Sequence, residues 1–552
     1  MTAQQDPSTP ESQRAGSVHA LFAARAAEWP GNDLLVLPAK VAALWGAAKT
    51  RWSYAEAAAE VARLSARYAA AGYGAGHRVA LLLENRPEHF LHWLALNALG
   101  AGIVPVNPDY REDELDYLLS HSESVLAVRL PARAGQIDGV AARLGVPVAG
   151  PDDTPPAAPP APGGPSGEAA ECALVYTSGT TGRPKGCILS NRFFLGWAEW
   201  YPAQGGAISL TPGAERLMTP LPTFHVNATG HSFMGMLGAG GAQIIIDRFH
   251  PRDWWETAIE TGATCFHYLG VMPAILLELP EAPHDRGHAL RFGLGGGVHP
   301  GHHARFEARF GVPLLEGWAM TETGGAGTFC AVEAPRHVGA RCIGRPDRPG
   351  PAMEIRILDD AGAEVPPGTP GELVLRAAGP DPRRGFFSGY LKNAEATEAA
   401  WEGGWLHTGD VMRQGPDGAV FFVDRKKNII RRSGENIAAV EVEQVLASVP
   451  GVRQVAAIAA LDALRGEEVM AVVLAEAGAD RPALARALYE ACASQLAYYK
   501  VPGWVVFVED MPTTSTQKVR KAALRDLAEA PEAAPGAFDF RAGKQALRTR
   551  GA

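Results

Sequence analysis

Apolar and polar positions change period several times along the chain. Ser17 precedes Val18-His19-Ala20-Leu21-Phe22, which reads as a helix over 17–29 with the serine as its cap. Trp52-Ser53-Tyr54 opens an alanine-rich helix that runs to about Ala71. Short apolar runs follow. Val79-Ala80-Leu81-Leu82-Leu83 predicts a strand with a helix over 87–100 after it. Ile103-Val104-Pro105-Val106-Asn107 predicts another, with a helix near Glu112–Ser120. Strands alternating with helices imply a mostly parallel sheet. The alternation resumes over 217–300, with Gln243-Ile244-Ile245-Ile246 and Thr264-Cys265-Phe266-His267-Tyr268 as strands. Between the two regions, residues 150–168 are dominated by proline, glycine and alanine, the composition of a surface linker. Residues 353–376 alternate apolar with polar and carry turn clusters, Asp359-Asp360-Ala361-Gly362 and Pro366-Pro367-Gly368, so antiparallel strands are expected. After about residue 427 a smaller α+β unit begins. Residues 1–16 read as disordered and 531–552 as a loose tail.

At 552 residues the chain is too long for one core. Its formal charge of -9 and the lack of a long basic stripe argue against a nucleic-acid partner. The six cysteines, at 172, 187, 265, 330, 342 and 492, form no Cys-x-x-Cys pair, which suits free thiols in a reducing cytosol. The N-terminal Met1-Thr2-Ala3-Gln4-Gln5-Asp6 is polar and shows no signal peptide. No apolar run reaches the roughly 20 residues of a membrane span. A cytoplasmic protein is expected. His299, His302 and His303 cluster beside Pro300 and Gly301. A solvated turn is favoured there over a metal site, because no second ligand motif accompanies them.

The candidate chemistry centres on Tyr176-Thr177-Ser178-Gly179-Thr180-Thr181-Gly182-Arg183-Pro184-Lys185-Gly186, after the apolar Cys172-Ala173-Leu174-Val175. Glycines allow a tight turn and close approach to a ligand. Hydroxyls and backbone N–H groups offer donors to phosphate oxygens, and Lys185 adds a point charge. The Walker spacing is absent. The whole run resembles the phosphate loop of the adenylate-forming superfamily: acyl-CoA synthetases, luciferases and peptide-synthetase adenylation domains.

Further motifs follow in that family's order, out to residue 518. Pro222-Thr223-Phe224-His225-Val226-Asn227 resembles the segment whose histidine lies beside the acyl carboxylate; Ala228 replaces the usual glycine. Gly295-Gly296-Gly297 resembles the loop shared by the adenine and acyl pockets. Glu316-Gly317-Trp318-Ala319-Met320-Thr321-Glu322-Thr323 resembles the next motif, with Trp318 where tyrosine is common. The resemblance implies that Trp318 stacks on adenine, that Thr321 bonds the α-phosphate and that Glu322 ligates Mg2+. Gly404-Trp405-Leu406-His407-Thr408-Gly409-Asp410 implies a ribose-binding Asp410, and Arg425 a contact to ribose or phosphate. Lys427 falls at the hinge position. Gly434, Glu435 and Asn436 fall on the face that serves the thioester step. Lys518, preceded by Gln517 where glycine is usual, would contact the acyl carboxylate and the α-phosphate.

The expected fold is therefore α/β. A large N-terminal domain over 1–425, of mixed, mostly parallel sheets with a small barrel-like β part, is followed by a small mobile lid over 426–530. The implied reaction joins a carboxylic acid to ATP as acyl-AMP with release of pyrophosphate, and then transfers the acyl group to CoA. ATP, Mg2+ and CoA are the implied cofactors. Lys518, Thr321, Glu322 and His225 are the implied catalytic residues. Thr177, Ser178, Gly179, Thr180, Thr181, Gly182 and Lys185 hold phosphates. His225, Val226, Asn227, Tyr268 and Gly296 line the acyl pocket. Phe224, Phe233, Trp254, Trp255, Phe266 and Tyr268 suggest an apolar pocket for a bulky alicyclic, terpenoid, aryl or fatty acid. The branch resembled most is the carnitine/crotonobetaine-CoA ligases, on Gly385-Phe386-Phe387-Ser388-Gly389-Tyr390-Leu391 and Ser433-Gly434-Glu435-Asn436-Ile437. An enzyme that stops at the adenylate, transfer to a carrier-protein phosphopantetheine, a partner protein and a homodimer stay open. The alternative from another class is a non-catalytic nucleotide-binding module.

Overall fold

The computed structural model describes residues 15–177, 184–432, 435–462, 465–513, 519–534 and 536–550, and these form four sheets. The first sheet has seven strands. Arg78–Leu82, Gly102–Pro105, Leu126–Arg129, Val148–Ala149 and β1 (Glu171–Thr177) run parallel, β2 (Lys185–Ser190) returns antiparallel to β1, and Gly389–Tyr390 pairs antiparallel with β2 at the edge. Thr177 pairs with Lys185, so the phosphate-loop run is the turn of a β-hairpin. Helix α1 (Asn191–Ala203) follows, capped by the Ser190 hydroxyl, which accepts from Phe193 N.

The second sheet has eight strands, six of them parallel. At its centre lie β3 (Arg216–Thr219), β4 (Cys265–Leu269), β5 (Phe292–Gly296) and β6 (Leu314–Trp318). Helix α1 is shared between the two sheets. Phe193, Phe194 and Trp197 join the core of the first, while Trp200 and Tyr201 pack with Leu217, Cys265 and Phe292 of the second. The second sheet also recruits Asp33–Val36 and Arg51–Ser53, joined through helix Ala39–Trp45. The sequence pattern did not reveal these three elements, because each is too short to show a period.

The long helix Tyr54–Ala70 shows why the other elements were legible. It buries Tyr54, Ala57, Val61, Leu64 and Tyr68, at alternating spacings of three and four, and Ser53 with Glu56 forms a reciprocal capping box. The linker over 150–166 holds no helix or strand and is tied to the surface by Ala158 N to Ala71 O, 2.7 Å, and Gly163 N to Ala75 O, 3.0 Å.

The third sheet is antiparallel throughout: Cys342–Gly344, β8 (Val420–Arg425), β7 (Leu406–Gln414), Gly371–Ala377 and Met353–Leu358. The fourth is built from β9 (Ile429–Arg432), β10 (Glu435–Ala438), β11 (Gly466–Ala475), β12 (Trp504–Phe507) and Phe538–Asp539, with Val452–Asp462 on β11. Its apolar face packs against helices Ala439–Ala447 and Arg481–Gln495.

Two expectations about the ends are corrected. Ala15, expected in a disordered stretch, is buried. The expected loose tail is instead a strand, Phe538–Asp539, on β12, and a helix, Arg541–Arg550. Lys544 on that helix is fully buried and ion-paired with Glu468, whose other oxygen accepts from Arg432 Nε at 2.7 Å. Burial pushes the Lys544 ammonium down to about 8, against the pull of Glu468. A buried charge needs its partner, so Lys544→Ala should lower stability by about 3 kcal/mol. Urea unfolding of the full chain measures this, and an unchanged midpoint would contradict it.

Candidate active site

Strands β3 to β6 pair in parallel, so their carboxyl ends lie along one edge of the second sheet, where open α/β sheets bind ligands. Three sequence-predicted segments leave from that edge, 220–227 after β3, Gly297 after β5 and 319–322 after β6, and Gly270 leaves it after β4.

The glycines there have distinct reasons. A Cβ on Gly270 would lie 1.7 Å from the Gly297 carbonyl oxygen, so the β4 and β5 ends touch backbone to backbone. Gly297 has φ +81°, a left-handed conformation with open space where a side chain would be. Gly296 faces the Gly317 carbonyl. Gly295 differs from expectation: its missing side chain accommodates Tyr268, whose carbonyl oxygen would stand 2.2 Å from a Cβ. The loop is held by Glu316, a residue the sequence reading gave no role. Its Oε1 accepts from both Gly297 N and Val298 N at 3.1 Å.

The histidine cluster is not the solvated turn expected of it. His303 is buried, with Nε2 donating to Leu314 O at 2.8 Å and Nδ1 accepting from Gly339 N at 3.1 Å. His299 caps the following helix by accepting from Gly301 N. Among the described residues no three His, Cys, Asp or Glu side chains are grouped so as to hold a metal ion.

Glu322 is buried where the first sheet meets the second. Its Oε1 accepts from the Tyr390 hydroxyl at 2.8 Å and from the Cys187 thiol at 3.9 Å, and its backbone carbonyl accepts from Phe387 N at 2.9 Å. Lys185 Nζ stands 4.6 Å from the centroid of the Tyr390 ring. Tyr390 thus connects the phosphate hairpin to the Thr321-Glu322 turn. Burial, and then the Glu322 charge, push its phenol well above the usual range and keep it a donor. The 385–391 segment signals this role only by carrying a hydroxyl-bearing aromatic, because its partner Glu322 is 68 positions away. Both hydrogen bonds to the Glu322 side chain are on Oε1 among the described residues. That arrangement fits Mg2+, which takes one or two carboxylates together with substrate phosphates. Ser178, Gly179, Thr180, Thr181 and Gly182 lie outside the described residues.

Asp410 is almost wholly buried on β7. Trp318 Nε1 donates to its Oδ2 at 2.8 Å, and Arg425 Nε sits 3.0 Å from Oδ1. Trp318 was expected to stack on adenine. Its indole is 7% exposed, tilted against Phe329, and commits its N–H to Asp410. The described contacts make it the residue that orients the carboxylate. Arg425 is the more exposed partner, so a sugar diol at Asp410 would compete with Arg425 first.

Phe224, His225, Val226 and Asn227 keep partial exposure at the edge. Their position is set by Asn85, also missed, which accepts from Thr223 N at 2.9 Å and donates to Leu221 O and Ile246 O at 3.1 Å each. The expected aromatic pocket does not form as read. Phe233, Trp254, Trp255, Phe266 and Tyr268 are all buried in the cores, and Tyr268 donates to Leu315 O. Phe224 alone of the six stays at the edge.

At the junction, 426–428 forms a single helical turn between β8 and β9. Asp424 spans it: Oδ1 accepts from Arg425 N and Asn428 Nδ2, and Oδ2 from Val440 N at 2.9 Å. Glu435 and Asn436 pair with Arg432 and Arg431 in the β9–β10 hairpin. The Lys427 side chain, Gly434, Gln517 and Lys518 lie outside the described residues.

Comparison with known proteins agrees with this geometry. The model of the AMP-binding enzyme family matches residues 22–391, and that of the AMP-binding enzyme C-terminal domain matches residues 441–518. The sulfoacetate–CoA ligase of Cupriavidus necator is 32% identical over 524 residues, covering 92% of this chain and 96% of that protein. The crotonobetaine/carnitine–CoA ligase of Proteus mirabilis is 28% identical over 508 residues, covering 86% and 93%. The crystal structure of ATP-bound MatB from Rhodopseudomonas palustris superposes with a TM-score of 0.76 at 26% identity, covering 93% and 98%. The chain belongs to the AMP-binding enzyme family. It is an acid–thiol ligase of the acyl-CoA synthetase class, working with ATP, Mg2+ and CoA.

The Trp318–Asp410 bond has a measurable consequence. Trp318→Phe keeps a ring and removes the donor, so Asp410 should lose its orientation. The KM for ATP should rise about tenfold with a smaller change in kcat, as expected for one lost hydrogen bond to a charged group. Pyrophosphate release at varied ATP reads both; an unchanged KM would separate Trp318 from nucleotide binding.

Proposed function

We propose that the chain makes an acyl adenylate and then an acyl-CoA at one site on the carboxyl edge of the second sheet, with residues 426–530 acting as a lid. The observation that carries this reading is the Lys185–Tyr390–Glu322 connection, which brings the phosphate hairpin beside the candidate Mg2+ carboxylate. Lys185 and the loop donors would neutralise phosphate charge, and Glu322 would hold Mg2+. Thr321 would bond the α-phosphate, and His225 would adjoin the acyl carboxylate. Charge stabilisation of this kind dominates phosphoryl and acyl transfer. Six buried free cysteines support a cytoplasmic setting. A bulky apolar acid loses the support it drew from the aromatic cluster, since five of the six rings are core.

Lys518 belongs to the lid in this reading and enters the site for adenylation. Lys518→Ala should therefore cut acid-dependent pyrophosphate release by about 10²-fold or more, while thioester formation from synthetic acyl adenylate persists. Equal losses in both half-reactions would remove Lys518 from the adenylation step. Running the second half-reaction with CoA and with a carrier-protein phosphopantetheine decides the acceptor.

On this reading the lid has to turn between steps, because CoA must reach the carbonyl carbon that Lys518 would cover. The turn at 426–428 follows one sheet and precedes another, as hinge segments do. Lys427→Pro fixes φ there. Adenylate formation should survive in this variant, and thioester formation from isolated adenylate should fall by about 10²-fold. Wild-type rates in both steps would place the pivot elsewhere.

A further inference from the structure

The edge segment 224–227 is backed by a buried polar relay that the reaction does not use. Helix α1 supplies Tyr201, β4 supplies His267, and the π-helical segment Asn227–Met234 supplies Ser232 and Asn227. Tyr201 and His267 are fully buried, with the Tyr201 hydroxyl 3.2 Å from His267 Nε2. On the other side of the ring, His267 Nδ1 stands 2.8 Å from Ser232 Oγ and 3.0 Å from Asn227 Oδ1. Ser232 Oγ is also 3.2 Å from Asn227 Oδ1.

Proton bookkeeping orients this relay. Burial pushes His267 down to about 3, so its ring is neutral and carries one N–H. The Tyr201 phenol is held well above its usual range by burial and stays protonated. A buried hydroxyl must donate, and His267 Nε2 is its acceptor. The ring proton therefore sits on Nδ1. The opposite tautomer would strand the Tyr201 proton in the core. Nδ1–H is then shared between Ser232 Oγ and Asn227, and the Ser232 hydroxyl donates to Asn227, so the end of the amide that meets them is its oxygen. The relay thus decides which way the Asn227 amide faces.

The NH2 group points away from the relay. Asn227 is partly exposed, unlike its buried relay partners, and lies in the run Phe224–Asn227 at the carboxyl edge. Among the described residues it has no acceptor for that NH2. Its backbone is seated firmly: Gly230 lies against the Trp197 indole and Gly235 against the Tyr201 ring, where a Cβ would meet atoms at 2.9 and 2.3 Å. His231 is stacked on Trp197 at 4.5 Å. A rigid, singly oriented donor at a binding edge discriminates between ligands.

We propose that Asn227 is a specificity-determining residue that selects acids whose acyl part carries a second hydrogen-bond acceptor, a carbonyl, hydroxyl or anionic oxygen, over plain hydrocarbon acids. The proposal rests on the acyl-site reading of 224–227 and names its substrate class. Tyr201, His267 and Ser232 are positioning residues behind it.

The test is calorimetric binding of non-reactive adenylate mimics to the full chain, which needs no turnover: 5′-O-(N-acylsulfamoyl)adenosines bearing pentanoyl, 3-oxopentanoyl and 4-oxopentanoyl groups. The wild-type protein should bind at least one oxo compound about tenfold more tightly than the pentanoyl compound. Asn227→Leu, which keeps the branching and number of heavy atoms and removes both the donor and the acceptor, should bring the compounds within about twofold of each other. Tyr201→Phe, which frees the ring to change tautomer, should shrink the preference without abolishing binding. Equal binding of all three by the wild type overturns the proposal and leaves the ligase reading intact. A preference that survives in Asn227→Leu overturns the assignment to Asn227. Failure of every mimic to bind overturns both the adenylate site and this proposal.

Discussion

Parallel pairing of β3, β4, β5 and β6 is the constraint on which the site depends. In an antiparallel sheet, successive loops would leave from opposite edges. Parallel hydrogen bonding places all four carboxyl ends together. The strands can then pack closely enough for their ends to touch, as Gly270 and Gly297 do. Helix α1, shared by two sheets, joins this edge to the phosphate hairpin, because its two faces belong to two different cores.

Carboxylates complete the assembly. Glu316 holds the β5 loop, Glu322 receives Tyr390 from the first sheet, Asp410 joins the second sheet to the third, and Asp424 reaches from the third into the C-terminal unit. Buried or partly buried acids are costly unless donors meet them, so each such group draws distant segments to itself. The same property suits a reaction that handles polyphosphate. Several of these partners, Arg425 among them, sit near solvent and can exchange an internal contact for a ligand.

The C-terminal unit is more than an appendage of its central strands. Its last helix inserts Lys544 beside Glu468, and Glu468 holds Arg432, one end of the hairpin that presents Glu435 and Asn436. The terminal segment therefore belongs to the structural support of that hairpin.

Local pattern determined much of this. The helix at Tyr54–Ala70, the parallel-sheet strands, the antiparallel turn to 353–376 and the motif-bearing loops follow from periods of 3.6 and 2, caps and glycines, all readable over a few residues. Asp410, Glu322 and the glycine loop stood out as candidates for the same reason, since their neighbours in sequence mark them. Contacts between distant segments were not. Nothing near Trp318 in sequence states that its N–H is taken by Asp410, 92 positions away. Nothing near Tyr390 points to Glu322, and the Lys544 side chain reads as surface charge until Glu468 is beside it. Aromatic residues mislead in the same way: Tyr268 and Phe266 have pocket-like chemistry, and only packing assigns them to the core. Burial and hydrogen-bond partners are properties of the assembled fold, because they depend on which distant atoms remove water from a group; a local pattern holds the group and not its surroundings.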